Sequence, residues 1–521
     1  MNLLKAITTV GGFTLLSRVF GFVRDMLIAN FLGAGMVADA FVVAFRLPNL
    51  FRRLFAEGAF AAAFVPLFAR ELEGDPDTAA ARARARAFAD EAMTLLALVL
   101  VAFVAVMEMV MPWAMVVLAG GFEAVPGKME LATELSRIAF PYLLFISLVS
   151  LQSGILNSLG RFAAAAAAPV LLNLCLIAAL LGLTGHVETP GHALAWGVFA
   201  AGVAQFAWLA WFCRRQGFPL RLVRPRWTDK VALLIKRILP VVFGASLYQV
   251  NLLIGTILAT YVSDGAVSYL YYADRVTQLP LGVVGVAVGT ALLPLLARQL
   301  KSGETAAALN SQNRGLEFAL LMTLPAAAAC LVMPDEIIRV LFERGAFGAE
   351  ATAATASALF AFATGLPAYV LIRVLAPGFY AREDTSTPVR IAIAAMVVNI
   401  ALMLVLMKPL GHVGIALAAS VSAWLNTLLL AIVLVRRGHF ALDARLRGRL
   451  PRILLATAGM VGVLEIARQN LDFLMTGTTA QQVLGLVLLV ALGLAAFAAF
   501  ALALRAAGLR DAKSMLRAKD L

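Results

Sequence analysis

Residues 92–118 read AMTLLALVLVAFVAVMEMVMPWAMVVL, an apolar run longer than the roughly 20 residues a helix needs to cross a hydrocarbon core. Similar runs recur from one end of the chain to the other, with no long polar segment between them that could fold as a separate soluble domain. Composition agrees. Of 521 residues, 62% are hydrophobic and only 14% are charged, and the mean hydropathy is +0.90; water-soluble chains of this length are far more polar. The solvent of this chain is lipid, and the expected fold class is an all-α polytopic membrane protein.

Breaks at glycine, proline and charge clusters divide the sequence into about fourteen spans of the required length. They fall near 8–33, 38–69, 92–118, 135–158, 164–184, 192–213, 233–262, 266–297, 314–342, 353–380, 388–407, 412–436, 451–470 and 481–506. The first is read as a retained helix rather than a removable leader, because Arg18 interrupts its apolar run and no small-residue cleavage site follows. Basic residues collect in alternate connections: Arg82, Arg84 and Arg86, Arg161, RRQGFPLRLVRPRWTDK, RQLK and RRGHFALDARLRGRLPR share the side of Lys5. That side is expected to be the cytoplasm, which puts both termini there in the bacterial inner membrane. The opposite connections, GFEAVPGKME, GHVETPGH and VSDG, carry few or no basic residues. Topology thus accounts for most of the +13 net charge without a nucleic acid partner; the basic connections are expected to touch anionic membrane lipids.

The chain resembles itself at an offset of about 225 residues, the self-similarity expected of a transporter built from repeats. FVPLFAREL, ending at Leu72, matches LLPLLARQL, ending at Leu300; GHALAWGV from Gly191 matches GIALAASV from Gly414; Asn173 corresponds to Asn399, and Arg214–Arg215 to Arg436–Arg437. These matches predict two six-helix lobes, 1–226 and 227–450, related by an axis along the membrane normal. A two-helix appendage with a cytoplasmic tail, 451–521, would follow.

Ionisable groups inside the spans are the informative residues, since each costs roughly 2.5–3.5 kcal/mol to place at the bilayer centre and normally faces a cavity or a partner. The first two spans hold Arg18, Arg24, Asp25, Asp39, Arg46, Arg52, Arg53 and Glu57; the second lobe holds Asp274, Arg275 and Arg373. One reading pairs these arginines with carboxylates as packing devices. The other notes that the carboxylates are too few to neutralise them all, and that the guanidinium fork suits phosphate oxygens. A diphosphate would supply the missing charge. A cavity for cationic drugs would instead show excess Asp or Glu.

No nucleophile, paired-carboxylate or metal-ligand spacing suggests chemistry on a bond, so no enzyme activity, metal or cofactor is expected. Cys175, Cys213 and Cys330 are isolated, and His186, His192, His412 and His439 lack the spacing of zinc ligands. GVVGVAVG, with Gly282, Gly285 and Gly289, lacks the lysine of a phosphate-binding loop and suits close helix packing instead. Energy would come from an ion gradient, the membrane potential or substrate flux.

Four segments, SRVFGFVRD, ADAFVVAFRLPNLFRRLFAEGAFAAAFVPLFARE, YYADRVTQLPLGVVGVAVGTALLPLLAR and VLAPGFYAREDTSTPV, closely resemble the MurJ/MviN lipid II flippases of the multidrug, oligosaccharidyl-lipid and polysaccharide exporter superfamily. The resemblance extends over essentially the whole chain. It implies translocation of the undecaprenyl-pyrophosphate-linked peptidoglycan precursor by alternating access, with the last two helices lining a groove for the polyprenyl tail. It also implies substrate-binding roles for Arg18, Arg24, Arg52, Arg275 and Arg373, and charge-pair or gating roles for Asp25, Asp39 and Glu57; in the mechanism expected here, Asp39 and Glu57 pair with arginines in one state and are released in another. Gln278 stands where many relatives carry glutamate. The rival readings are a flippase for another polyprenyl-linked glycan, a multidrug or cation antiporter of the same superfamily, and a membrane scaffold that organises the cell-wall synthesis machinery.

Overall fold

A computed structural model describes residues 3–52, 60–72 and 79–507. Packing divides the chain into two compact units. The first, Met1–Ser268 with Arg344–Phe347, contains α1 (Leu3–Leu32), α2 (Met36–Phe51), α3 (Phe60–Glu71), α4 (Ala79–Ala119), α5 (Lys128–Ala139), α6 (Tyr142–Ser158), α7 (Phe162–Leu183), α8 (Pro190–Arg215) and α9 (Asp229–Thr260). The second, Tyr269–Glu343 with Gly348–Leu521, holds most of α10 (Ala266–Lys301), then α11 (Thr305–Val332), α12 (Pro334–Phe342), α13 (Ala349–Tyr380), α14 (Ser386–Arg436), α15 (Ala444–Asn470), α16 (Asp472–Met475) and α17 (Thr479–Ala503). Among the described residues nine helical stretches are long and apolar enough to cross a membrane. The reading of about fourteen spans is compatible with these helices. The packing units follow contacts and the repeat follows sequence similarity, so their divisions at 268 and 226 are different properties of the chain.

Where helices depart from the expected limits, local chemistry explains the difference. α4 begins well before residue 92, carrying Arg82, Arg84 and Arg86 on a polar extension; Arg86 meets Asp90 one turn on, at 3.7 Å. The fourth span divides into α5 and α6 around Phe140–Pro141, since Pro141 lacks the amide a continuous helix would use. α12 restarts after α11 with Pro334 in its first turn, where a missing N–H costs nothing. Within α14, Gly411 adopts φ 57° and ψ −136°, just after Pro409. Only glycine takes that conformation readily, and it separates the two spans read as 388–407 and 412–436. GVVGVAVG lies within the continuous helix α10.

The helix ends are closed by their own side chains and carbonyls. Asp443 caps α15 by accepting from the Leu446 amide at 2.6 Å, and Thr478 with Gln481 forms a capping box on α17. α8 and α14, whose double arginines match in sequence, end alike: the Phe218 amide donates to Cys213 O and the His439 amide to Leu434 O, both at 2.9 Å.

The outer faces are apolar. Trp113 of α4 is 69% exposed, and Leu98, Val99, Val101 and Val117 are exposed along the same helix; on a soluble protein such apolar exposure would drive association, whereas lipid covers it without cost. Inside, small residues let backbones meet. α13 lies on α14 so closely at Gly365 that a Cβ there would stand 2.7 Å from the Ser420 Cα. Gly365→Ala is expected to destabilise the purified protein by about 1–3 kcal/mol through overpacking, read as a lowered thermal midpoint in detergent; an unchanged midpoint would contradict that contact.

Candidate functional site

Arg24 and Asp25 sit on α1, where it packs on α7. Arg24 is 9% exposed and Asp25 3%. The guanidinium donates through Nε at 3.0 Å and NH2 at 2.6 Å to Asp25 Oδ1, and through NH1 at 2.8 Å to Asn173 Oδ1. Asn173 is oriented in turn, its amide donating to Ser17 O at 2.9 Å. A planar, charge-assisted fork is thus built across two helices. Arg18, on the same helix, is exposed. Arg52, at the end of α2, is half-buried and donates to Asn49 Oδ1 at 3.1 Å. Arg53 and Glu57 lie outside the described residues.

Asp39 is fully buried, yet its ion-pair partner is not an arginine. Lys128, itself 1% exposed, donates to Asp39 Oδ2 at 2.7 Å and to Asp264 Oδ1 at 2.5 Å, and its ammonium lies 4.3 Å from the Phe122 ring centre. Asp39 also accepts from the Gly265 amide at 2.8 Å, the Ser268 amide at 2.8 Å and the Ser268 hydroxyl at 2.6 Å. Gly265 immediately precedes α10 and Ser268 lies in its first turn, so the carboxylate occupies the positive end of a helix dipole. In this structure the cation on Asp39 is Lys128, which reaches in from the start of α5.

Lys128 and Asp264 are the residues that sequence reasoning passed over, as ordinary members of GFEAVPGKME and VSDG. One signal was present. A lysine in the first turn of a helix opposes the helix dipole and calls for a carboxylate neighbour.

In the second unit, Arg275 lies 4.6 Å from the Tyr271 ring centre and donates to Gln278 Oε1 at 3.4 Å. The Gln278 amide donates to Asp274. An amide can face both an arginine and a carboxylate, because it carries an acceptor and a donor. Glutamate at 278 would meet Asp274 with like charge. Arg373, on α13, is exposed, with no ion pair among the described residues.

The basic segment after Arg436 is largely spoken for by protein. Arg437 donates to Asp384 Oδ2 at 2.6 Å and to the Thr387 hydroxyl at 3.1 Å. Glu317 of α11, mostly buried, receives Arg445 at 3.0 Å and also Arg449 and Arg314; Arg314 continues to Asp443. Arg445 and Arg449 thus tie α15 to α11, and Arg437 ties the end of α14 to the 381–385 turn.

The Thr387 hydroxyl and amide, with the Arg437 guanidinium, hold the Asp384 carboxyl well below its ordinary value of 3.8. A carboxylate whose pKa falls on folding adds stability that is present above the unfolded value and lost as pH drops below it. Asp384→Asn is therefore expected to lower the thermal midpoint at neutral pH, and the gap to the parent to begin narrowing below about pH 4 and to close only as pH falls to the depressed folded value. Parallel midpoint curves over that range would contradict this assignment.

Known proteins agree with the architecture. The family model described as "Lipid II flippase MurJ" matches residues 28–501. A Rhizobium tropici protein named "Probable lipid II flippase MurJ" is 46% identical over 511 residues, covering 96% of this chain and 94% of its own. The Burkholderia cenocepacia "Lipid II flippase MurJ" is 37% identical, covering 96% of each. Among solved structures, one titled "Lipid II flippase MurJ, inward closed conformation" superposes with a TM-score of 0.77 at 22% identity, over 94% of this chain and 97% of its own. An inward-facing MATE-family multidrug resistance transporter gives 0.67 at 14% identity, over 83% and 98%. The structural likenesses speak for the fold alone; the sequence matches, running nearly end to end, show that this chain belongs to the lipid II flippase MurJ family.

Proposed function

We propose that this chain carries lipid II, the undecaprenyl-pyrophosphate-linked disaccharide-peptide, from the cytoplasmic to the periplasmic leaflet of the bacterial inner membrane. The observation that carries this reading is the 46% identity over 96% of the chain to a protein bearing the lipid II flippase name. The charge chemistry supports it. Arg24 already presents a fork to two oxygen acceptors in a buried setting, and a diphosphate offers oxygens of the same kind.

In the mechanism proposed, Arg18, Arg24, Arg52, Arg275 and Arg373 are the cations that the pyrophosphate meets during transport while the polyprenyl tail stays in lipid. Asp25, Asp39 and Glu57 exchange partners as the protein alternates between inward- and outward-open states. Such exchange gives the differential interaction that any population shift requires. No bond of the substrate is made or broken; an ion gradient or the membrane potential drives the cycle. Both termini face the cytoplasm, as the basic connections require. The cell-wall synthesis machinery receives the product.

The test is to deplete the protein rapidly and measure lipid II accessible on the outer leaflet, using an externally added muramidase-type or colicin-type probe. Loss of the outer pool with accumulation inside is expected. An unchanged outer pool, in cells with no second flippase, would overturn the reading.

A further inference from the structure

We propose that His192, Glu134 and Glu188 form a binding site for a late first-row divalent cation, with Zn2+ the best fit, at the junction of α5 and α8. One potential ligand atom from each of the three residues lies within 4.8 Å of the others. The His192 Nε2 and Glu134 Oε1 are 3.5 Å apart, close to the roughly 3.3–3.4 Å that separates two ligands on a tetrahedral zinc with bonds near 2.0–2.1 Å.

His192 supplies the observation that points to a ligand. The residue is 5% exposed, and its Nε2 is buried without a hydrogen bond. An orphaned imidazole nitrogen inside a protein normally has a partner. The other ring nitrogen, Nδ1, lies 2.9 Å from the Thr189 hydroxyl. With Nδ1–H donating to that hydroxyl oxygen, Nε2 carries the lone pair a metal needs, and the ring is held in orientation, as second-shell partners of metal-ligating histidines commonly do.

The two carboxylates are exposed and free to close on an ion. Glu134 comes from the middle of α5 and Glu188 from the turn preceding α8, which leaves room for a water as fourth ligand. A mixed imidazole and carboxylate set favours Zn2+ over Mg2+ or Ca2+, which take oxygen ligands. Bound metal would clamp α5, the helix that also delivers Lys128 to Asp39, onto the start of α8. The spacing of the histidines in sequence gives no hint of the site, because its ligands come from separate elements.

The experiment uses the full chain purified without a polyhistidine tag, stripped with chelator and titrated with Zn2+ by calorimetry, and with Co2+ by visible absorption. One saturable site with a low-symmetry Co2+ spectrum is expected. His192→Gln and Glu188→Gln should each weaken Zn2+ by at least about tenfold, while His186→Ala leaves it unchanged and excess Mg2+ does not compete. Because Glu188 is exposed, its variant keeps the test valid even if the buried His192→Gln misfolds. Absence of saturable Zn2+ binding, or affinity unchanged in Glu188→Gln, would overturn the proposal and leave His192 and Glu134 as a simple ion pair.

Discussion

Arg24→Ala, compared at equal abundance, is expected to abolish the display of lipid II on the outer leaflet and to fail to support cell-wall synthesis. Arg24 is buried, and all three of its guanidinium nitrogens are committed to acceptors on Asp25 and Asn173. Removing one member of a buried pair costs about 3–5 kcal/mol, because the remaining charge stays out of water. A loss of function could therefore reflect a damaged fold, and two further variants separate the causes. Arg24→Lys keeps the charge but offers a point cation in place of a planar fork; it should retain most of the stability and little of the transport. Arg24→Ala combined with Asp25→Ala removes both charges and should recover thermal stability without recovering lipid II display. Transport by Arg24→Ala within twofold of the parent would sink the role given to this arginine.

The helices were legible because lipid leaves so few alternatives. A run such as 92–118 cannot be a loop or an exposed strand in hydrocarbon, and Pro409 with Gly411 marks a break that the backbone indeed takes. Arg24 and Asp25 were legible as candidates for the same reason, since ionised groups are rare inside spans. Partner identity was another matter. Asn173 stood out in sequence only as the counterpart of Asn399, and its contact with Arg24 joins helices far apart along the chain. Glu317 gathers Arg445 and Arg449 from beyond the linker; charges that sequence alone assigns to topology are also the rivets of α15. Hydropathy sorts residues by their preferred solvent, but it carries no information about which helix lies opposite. The same limit hid Lys128, because a lone lysine between apolar runs reads as an exposed turn.

Lys128→Ala is expected to be among the most destabilising single changes in the first unit, on the order of 3–5 kcal/mol, because it leaves a fully buried carboxylate without its cation. The two ends of the pair should respond differently. In Lys128→Ala, Asp39 keeps the Gly265 and Ser268 donors, and these moderate the loss by acting as a helix N-terminal anion site. In Asp39→Ala, Lys128 keeps Asp264, which is half-exposed and screened by water, while the amides of α10 lose their acceptor. Asp39→Asn is the more discriminating change. Its single carbonyl oxygen can satisfy Ser268 or Lys128 but not both, and its NH2 must face a donor, so it should cost nearly as much as alanine despite its shape. A double-mutant cycle on thermal stability in detergent should give Asp39 and Lys128 a coupling above about 1 kcal/mol. Additive single changes would mean that the ammonium is held by Asp264 and Phe122 alone, and that α2 is fastened to the start of α10 by hydrogen bonds without the charge.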